Sequence, residues 1–436
     1  MNAPAFTPAA FRVPARDTES VNPVSASVRH RPSHMARAMN PPPHLLSPIA
    51  RHYGLDWLRI GAFMLLILHH IGRAFSPGTW LVKLDSLEWL NAPMLFVTPW
   101  RLALLFLIAG FASRALLART GLGGFLRERS ARLLLPLIVA MILIIPPQSW
   151  INLVLNHDYP HGFWHFIAND EFGFRAVDGV SQPGWEHLWF VAYLFAYTLV
   201  LCAGIAFVPE AWKARGAAAI GWLLEGRRLL WAPLLYFVPV RVGVAFTLGE
   251  SHGLFDDWLS DAMYLPCFLI GFALAGNEGL WGAVARCWRL SLGVALAAYA
   301  VLLGIELAFA DSAKLPHLWA IIDRAAMGAM MWAMILPLLR LADTLLNRDH
   351  VWRARLSEAV FPFYIIHQTL IVVIAFALLP KGLSSGADFV ILLCGTVAGC
   401  WLFYRLGDLV PAIRPLIGLK ARPRPVHRTE AAAEAS

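Results

Sequence analysis

Ten stretches of about 20 mostly apolar residues run through this chain, and they limit what it can fold into. A helix needs about 20 apolar residues to cross the hydrocarbon core of a bilayer. Inside lipid every backbone polar group must be bonded internally, so such stretches form helices. Charged residues make up 15% of the 436 residues, against about 25% in soluble domains. The sequence therefore predicts an all-α, polytopic membrane helical bundle and excludes a nucleic-acid-binding domain, a disordered regulator and an ordinary cytosolic enzyme. The predicted spans are 55–75, 92–113, 133–152, 186–208, 229–248, 260–276, 290–310, 317–339, 359–379 and 389–411.

Lysine and arginine are distributed unevenly among the segments that join these spans. With a cytoplasmic N-terminus, 26 of the 36 lysines and arginines fall in cytoplasmic segments and four in external loops. Cytoplasmic loops of membrane proteins carry the excess of these residues. The distribution therefore favours ten spans with both termini in the cytoplasm. It also accounts for the formal net charge of +8 and predicts a multi-pass protein of the cell inner (plasma) membrane.

Composition divides the chain into three regions. Residues 1–50 are rich in proline, alanine, serine and arginine and hold no apolar core of signal-peptide length, which predicts a disordered cytoplasmic tail. Residues 51–413 form the predicted membrane domain, and residues 414–436 a basic cytoplasmic C-terminal tail. The five cysteines show no metal-ligand spacing, and we predict no metal site.

The first span carries three ionisable residues near one face. Arg59 and His70 are eleven residues apart, which on a helix returns to within about 20° of the same direction, roughly 16 Å further along the axis. Asp56 lies about 40° from His70, whereas His69 points away from this stripe. Charged groups in hydrocarbon are costly, so an ionisable residue within a span is by default a functional-site hypothesis.

Other spans add further polar residues at two depths. His70 and Arg101 fall in the outer half of the predicted bundle, His187 lies at the outer mouth of the fourth span, and His367 lies between, nearer the cytoplasm. Arginines gather at the inner side, where guanidinium groups would bind the phosphates of a cytoplasmic molecule. We therefore expect a polar passage through the bundle with a cationic inner end. The arginines of this inner group are Arg59, Arg114, Arg127, Arg129 and Arg132.

Several of these residues also have a purely structural interpretation. In this interpretation Arg59 is only the partner of Asp56 in an ion pair near the interface. The Asp323–Arg324 and Arg405–Asp408 pairs would fix helix packing by neutralising each other. The arginines between the second and third spans would serve only as topology signals. His69 is expected to be structural or lipid-facing because of its angle on the helix.

Five short motifs, in order, resemble those of the acyltransferase 3 family of integral membrane acyltransferases. The match begins with an arginine ten residues before a histidine and extends over about residues 54–411. Within the family the opening residues look closest to the branch that contains glucan biosynthesis protein C. Ala109 stands where the family usually has serine, so we assign that position no catalytic role. The motifs are Asp56-x2-Arg59-x10-His70, Phe106-x2-Ala109-Gly110-Phe111, Arg129-x2-Arg132-x3-Pro136, His187-Leu-Trp189-Phe190 and Tyr364-x2-His367.

The resemblance implies transfer of an acetyl, succinyl or similar acyl group from cytoplasmic acyl-CoA to a hydroxyl of a glycan or other cell-envelope acceptor. Attack of an alcohol on a thioester needs a base and positive charge for the oxyanion. We assign His70 as the base and Arg101 as the oxyanion or acceptor-orienting group. The expected substrate and acyl-CoA-binding residues are Asp56, Arg59, Arg114, Arg129, Arg132, His187 and His367.

Partners follow from the same interpretation. We expect membrane lipid, acyl-CoA as donor, a glycan or lipid-linked acceptor, and a separate protein for any second transfer step. No permanently bound cofactor and no nucleic acid are expected. The rival function is a proton-coupled transporter or flippase of a phosphorylated or glycosylated substrate, in which the buried charges relay protons. The sequence leaves open the acyl group, the acceptor, covalent against direct transfer, and the oligomeric state.

Overall fold

The computed structural model describes residues 51–245, 248, 251–309 and 315–420, and in these ranges the chain is almost entirely helical. The predicted N-terminal tail and residues 421–436 of the predicted C-terminal tail lie outside them. The helices and the single short hairpin, in chain order, are α1 (Tyr53–Arg73), α2 (Asn91–Arg129), α3 (Leu135–Leu143), α4 (Pro146–Asn156), α5 (Phe163–Asn169), β1 (Ala176–Val177), β2 (Val180–Ser181), α6 (Trp189–Phe207), α7 (Glu210–Leu224), α8 (Arg228–Ala245), α9 (Trp258–Leu274), α10 (Gly279–Ala308), α11 (His317–Ala333), α12 (Ile335–Thr344), α13 (Val351–Leu378) and α14 (Ser385–Leu409).

Seven helical runs in the described ranges are long and apolar enough to cross a membrane. They confirm the prediction of a polytopic, all-α membrane protein. Each of the ten predicted spans overlaps helix in the described residues. The first part of the third span belongs to the same run as the second span, and the fifth and sixth spans, α8 and α9, are not among the seven. The seven are Tyr53–Arg73, Glu88–Leu143, Glu186–Phe207, Gly279–Ala308, His317–Thr344, Val351–Lys381 and Ser385–Leu409.

Two predicted spans are divided in the structure. The third, 133–152, ends as α3 at Leu143, and α4 begins at Pro146 after a short break. A proline in the first turn costs no hydrogen bond but cannot continue a helix, so the Pro146–Pro147 pair explains the division. The eighth predicted span likewise continues as α12 after a break at Met334.

Helices α2 and α9 pack unusually closely because two glycines face each other's backbone. A Cβ atom on Gly110 would lie 2.1 Å from the carbonyl oxygen of Phe268, and one on Gly271 would lie 2.1 Å from that of Leu107. Small residues at such crossings let membrane helices approach within backbone contact. The contact fixes α2, which carries Arg101, against α9.

The segment between α4 and α6 folds into a small unit of its own. Helix α5 and the β1–β2 hairpin enclose an apolar cluster of Leu153, Tyr159, Phe166 and Val177. The Tyr159 hydroxyl donates a hydrogen bond to Asp170, and Asp170 pairs with Arg175 at 2.5 Å. These two contacts hold the unit together. We call the end of the bundle at which α1 finishes the upper end, and the end at which α1 begins the lower end. This segment lies beside the upper end.

Residues that follow α14 pack against the lower end of the bundle. Arg414 is 5% exposed and pairs with Glu358 and Asp408, each at 2.7 Å. Lys420 pairs with Glu128 at 3.0 Å. The beginning of the predicted C-terminal tail is therefore held on the membrane domain as far as the structure describes it.

Candidate active site

Three histidines from distant parts of the sequence meet at one place in the bundle. Nδ1 of His70, on α1, lies 2.9 Å from Nε2 of His367, on α13, and the two rings stack with centroids 5.1 Å apart. His187, in the helical turn Glu186–Leu188, packs edge-on against His367 at 4.9 Å. All three were predicted as site residues, but their mutual contact was not.

Hydrogen bonds to backbone carbonyls decide which nitrogen of each ring carries the proton. Nδ1 of His367 lies 2.7 Å from the carbonyl oxygen of Tyr364, and a carbonyl only accepts, so this nitrogen is the donor. Nε2 of neutral His367 is then an acceptor and takes its hydrogen bond from Nδ1 of His70. The free lone pair of His70 is therefore on Nε2. His367 orients His70 much as a carboxylate orients the histidine of a hydrolase triad.

The same argument applies to His187. Its Nε2 lies 3.1 and 3.2 Å from the carbonyl oxygens of Tyr364 and Ile365, so Nε2 donates to both. Its Nδ1 therefore carries a lone pair, and this buried atom has no hydrogen-bond partner among the described residues. The Tyr364 hydroxyl in turn donates to the carbonyl oxygen of His187, which ties α13 to the turn before α6.

His70 and His187 line a cavity of about 380 Å³. Its wall combines aromatic and aliphatic side chains with a few polar ones, the usual make-up of a small-molecule site. Besides these two histidines, the polar and aromatic lining residues are Thr98, Arg101, Glu186, Trp189, Phe190, Arg241, His252, Tyr264, Tyr364 and Gln368.

Arg101 supplies positive charge to this cavity. The residue is 5% exposed, and its Nε and Nη1 atoms are buried without a hydrogen-bond partner among the described residues. It lines the same cavity as His70. Buried N–H groups are rarely left unpaired, so these two donors suit an oxygen of a bound molecule. The sequence had placed Arg101 here by depth alone.

Asp56 lies at the lower end of α1 and is the centre of an ion-pair network. It pairs with Arg353 at 2.7 Å, with Arg51 at 2.9 Å and with Arg59 at 3.9 Å. Arg59 also donates to the hydroxyl and backbone carbonyl of Ser357 on α13. Asp56 therefore joins α1 to α13. The ion pair between Asp56 and Arg59, on which the structural interpretation of Arg59 depends, is present in the structure.

The predicted inner group of arginines lies mainly at the lower end. Arg59, Arg129 and Arg132 are close enough for their charges to act on one another. Arg129 donates to Ser113 and, at 3.3 Å, to the carbonyl oxygen of Ala109. A π-helical turn, Ser130–Leu134, follows it, and such turns are frequent at functional sites. Arg114 lies apart, with its guanidinium over the ring of Phe272 at 5.4 Å.

The cavity does not reach Arg59 in this structure. From α1 it is lined by Leu66 and His70. Phe63, between them and Arg59 along the helix, packs edge-on against Phe190 at 6.4 Å and Tyr364 at 5.6 Å. The expected polar passage from the arginines to His70 is therefore interrupted by aromatic rings.

A second polar group, which was not predicted from the sequence, lies beside the cavity. Glu186 lines the cavity, and Glu171 from the loop before β1 is fully buried near it, with neither carboxylate oxygen hydrogen-bonded among the described residues. The sequence signal that could have indicated Glu186 is its position directly before His187, the first residue of one of the five motifs.

Burial, together with the negative charge of Glu186, raises the pKa of Glu171 to about 7 from an ordinary 4.5. Between these pH values the folded protein holds a proton that the unfolded chain has lost, so stability falls as pH rises through this window. Glu171→Gln mimics the protonated carboxyl. It should raise the apparent melting temperature in detergent by a few degrees at pH 8 and by much less at pH 5. Exposed Glu88→Gln is the control, and an equal gain at both pH values would contradict the assignment.

Comparison with known proteins gives one family match and several curated relatives. A family model described as an acyltransferase domain matches residues 52–405. Glucans biosynthesis protein C of Salmonella gallinarum is 24% identical over 360 residues, which cover 80% of this chain and 89% of that protein. The protein of the same name from Escherichia coli K12 is 32% identical over 162 residues, 36% of this chain and 40% of that protein. No solved structure matches the chain significantly.

Proposed function

The chain belongs to the acyltransferase domain family and is an acyltransferase, and from that premise we propose that it moves an acyl group from acyl-CoA to a hydroxyl of a cell-envelope glycan. An acetyl, succinyl or similar group fits this role. The names of its relatives, which refer to glucans, support a glycan acceptor. The observation that carries the proposal is the free Nε2 lone pair of His70, held by His367 beside the unpartnered donors of Arg101.

The chemistry runs through these groups in two steps. The acceptor hydroxyl oxygen attacks the thioester carbonyl carbon while Nε2 of His70 takes the hydroxyl proton, as a general base does. The negative charge that develops on the carbonyl oxygen is stabilised by the Nε and Nη1 donors of Arg101. Collapse of this intermediate breaks the carbon–sulfur bond, and the CoA thiolate takes the proton back from His70. The products are the ester and free CoA.

Donor and acceptor approach from opposite ends of the bundle in this proposal. We take the lower end to be cytoplasmic in a ten-span inner-membrane protein, because the distribution of lysine and arginine favours that orientation. Arg59, Arg129 and Arg132 would bind CoA phosphates there. His70 lies about 16 Å along the helix from Arg59, a distance that the pantetheine arm of CoA can bridge. The aromatic contact of Phe63 with Phe190 and Tyr364 is the point that must open for the thioester to reach the cavity.

A mutation of one exposed arginine tests the donor site. Arg132→Gln should raise KM for acyl-CoA about fivefold to tenfold with kcat nearly unchanged, because the lost contact is equal in ground and transition states. Arg132 is exposed, so the fold should tolerate the change. Arg289→Gln, also exposed, is the matched control and should behave as wild type. An unchanged KM for Arg132→Gln would argue against this phosphate site.

Reconstitution in proteoliposomes separates the proposed enzyme from a transporter. The purified protein receives radiolabelled acetyl- or succinyl-CoA and a glucan oligosaccharide, and free CoA and labelled glycan are measured. The proposal requires equal amounts of both products. Movement of the oligosaccharide or of a phosphorylated lipid across the bilayer without CoA release would favour the transporter instead.

A further inference from the structure

Glu186 occupies a distinctive position in the wall of the cavity. It directly precedes His187, and among the described residues that line the cavity it is the acidic one. Its backbone φ is +44°, in the left-handed region that non-glycine residues rarely adopt. Such strain persists only where surrounding structure enforces it, and it concentrates at functional sites. The strained turn places Glu186 in the wall of the cavity that His70 also lines.

Beside Glu186 lies a group of buried polar side chains that have no hydrogen-bond partner in the part of the chain that the structure describes. Ser149, Glu171 and Gln182 are at most 4% exposed, and their side-chain oxygens and the Gln182 amide nitrogen have no partner among the described residues. A Cβ atom at Gly184 would lie 3.7 Å from Oε1 of Glu186 and 3.9 Å from Oγ of Ser149. These two atoms therefore face a common small space. Buried polar groups that lack protein partners are normally bonded to water or ligand.

Aromatic rings line the cavity together with Glu186. Trp185 donates from its indole nitrogen to the carbonyl oxygen of His252 at 3.0 Å. Trp189 and His252, which both line the cavity, have ring centroids 4.6 Å apart. Asp257 holds this loop in place, because its carboxylate accepts from the backbone N–H of His252 at 2.9 Å. The cavity wall thus offers flat apolar rings beside a carboxylate.

We propose that Glu186 binds the acceptor by accepting a hydrogen bond from a second hydroxyl, adjacent to the one that is acylated. A pyranoside with vicinal hydroxyls is the chemical class that fits, since one hydroxyl meets Nε2 of His70 while its neighbour donates to the carboxylate. The ring would pack on Trp189. This inference rests on the proposed acyl transfer and deepens it by assigning an acceptor-binding residue and the feature that it recognises.

The test compares methyl β-glucoside with its monodeoxy analogues as acceptors. Hydrogen bonds to charged groups contribute about 1.5–3 kcal/mol, so wild type should lose at least about tenfold in kcat/KM on one analogue. Glu186→Ala should accept that analogue and the parent glucoside within about twofold of each other, as in a double-mutant cycle. Its KM for acyl-CoA and its apparent melting temperature in detergent should stay near the wild-type values, which a general structural defect would not preserve. Glu88→Ala serves as the matched control.

Each outcome bears on a different claim. If Glu186→Ala discriminates among the glucosides as strongly as wild type, Glu186 does not read an adjacent hydroxyl and the inference is overturned. If wild type releases CoA but acylates none of the glucosides, the proposed acceptor class is wrong and this inference falls with it. Glu186→Gln, which keeps an acceptor oxygen but loses the charge, should show intermediate discrimination.

Discussion

Replacing His70 with alanine is expected to lower kcat by roughly 10²–10⁴-fold, the range that a positioned general base contributes, while acyl-CoA binding is retained. His70 lines the cavity and carries its free lone pair on Nε2. The arginines assigned to the CoA phosphates lie at the other end of α1. Kinetics of acyl transfer together with binding of a non-reactive acyl-CoA analogue would separate the two effects.

His69→Ala is the matched control for this prediction. His69 is on the same turn of α1, edge-on to His70 with ring centroids 6.0 Å apart, but it does not line the cavity described above. It should keep kcat within about threefold of wild type, because general-base catalysis is lost only with the base itself. Wild-type turnover in His70→Ala would show that another group takes the proton.

Replacing His367 with alanine should lower kcat by roughly 10²-fold, although His367 is fully buried and does not touch the cavity. It acts through His70, whose Nδ1 proton it accepts. Without this partner His70 can rotate or place its proton on Nε2, and a base in the wrong tautomer cannot accept the hydroxyl proton. His367 is thus a positioning residue.

A substitution that restores only the hydrogen bond tests this role. His367→Gln offers an amide oxygen to Nδ1 of His70 and should recover at least about tenfold of the activity lost in His367→Ala. KM for acyl-CoA should stay the same in both variants. If the two variants lose activity and melting temperature in parallel, with no rescue by glutamine, His367 is only a packing residue.

The helical architecture could be predicted because lipid leaves so few choices. Apolar length alone located the long helices, and several of their ends agree within a few residues, as for α1 at Tyr53–Arg73 and α14 at Ser385–Leu409. Helical periodicity also separated His70, which lines the cavity, from His69, which does not. The division of the third span at Pro146 was missed because its hydropathy is continuous there, and hydropathy outweighed the proline signal.

Contacts between helices distant in the chain could not be predicted. His70 and His367 are 297 residues apart, and no periodicity within one helix indicates which other helix lies beside it. Likewise, the strongest partner of Asp56 is Arg353 rather than Arg59. Glu186 could not be predicted as an acceptor-binding residue, because its proposed role depends on a left-handed backbone and on a cavity, and a single sequence displays neither.

The most direct test of this account is the ¹⁵N solid-state NMR spectrum of histidine-labelled protein in proteoliposomes, with His70→Ala used to assign the signals. The account predicts a neutral His70 with its proton on Nδ1, a bare Nε2, and a hydrogen-bond coupling from Nδ1 to Nε2 of His367. A His70 that is protonated on Nε2, or that shows no coupling to His367, would contradict it.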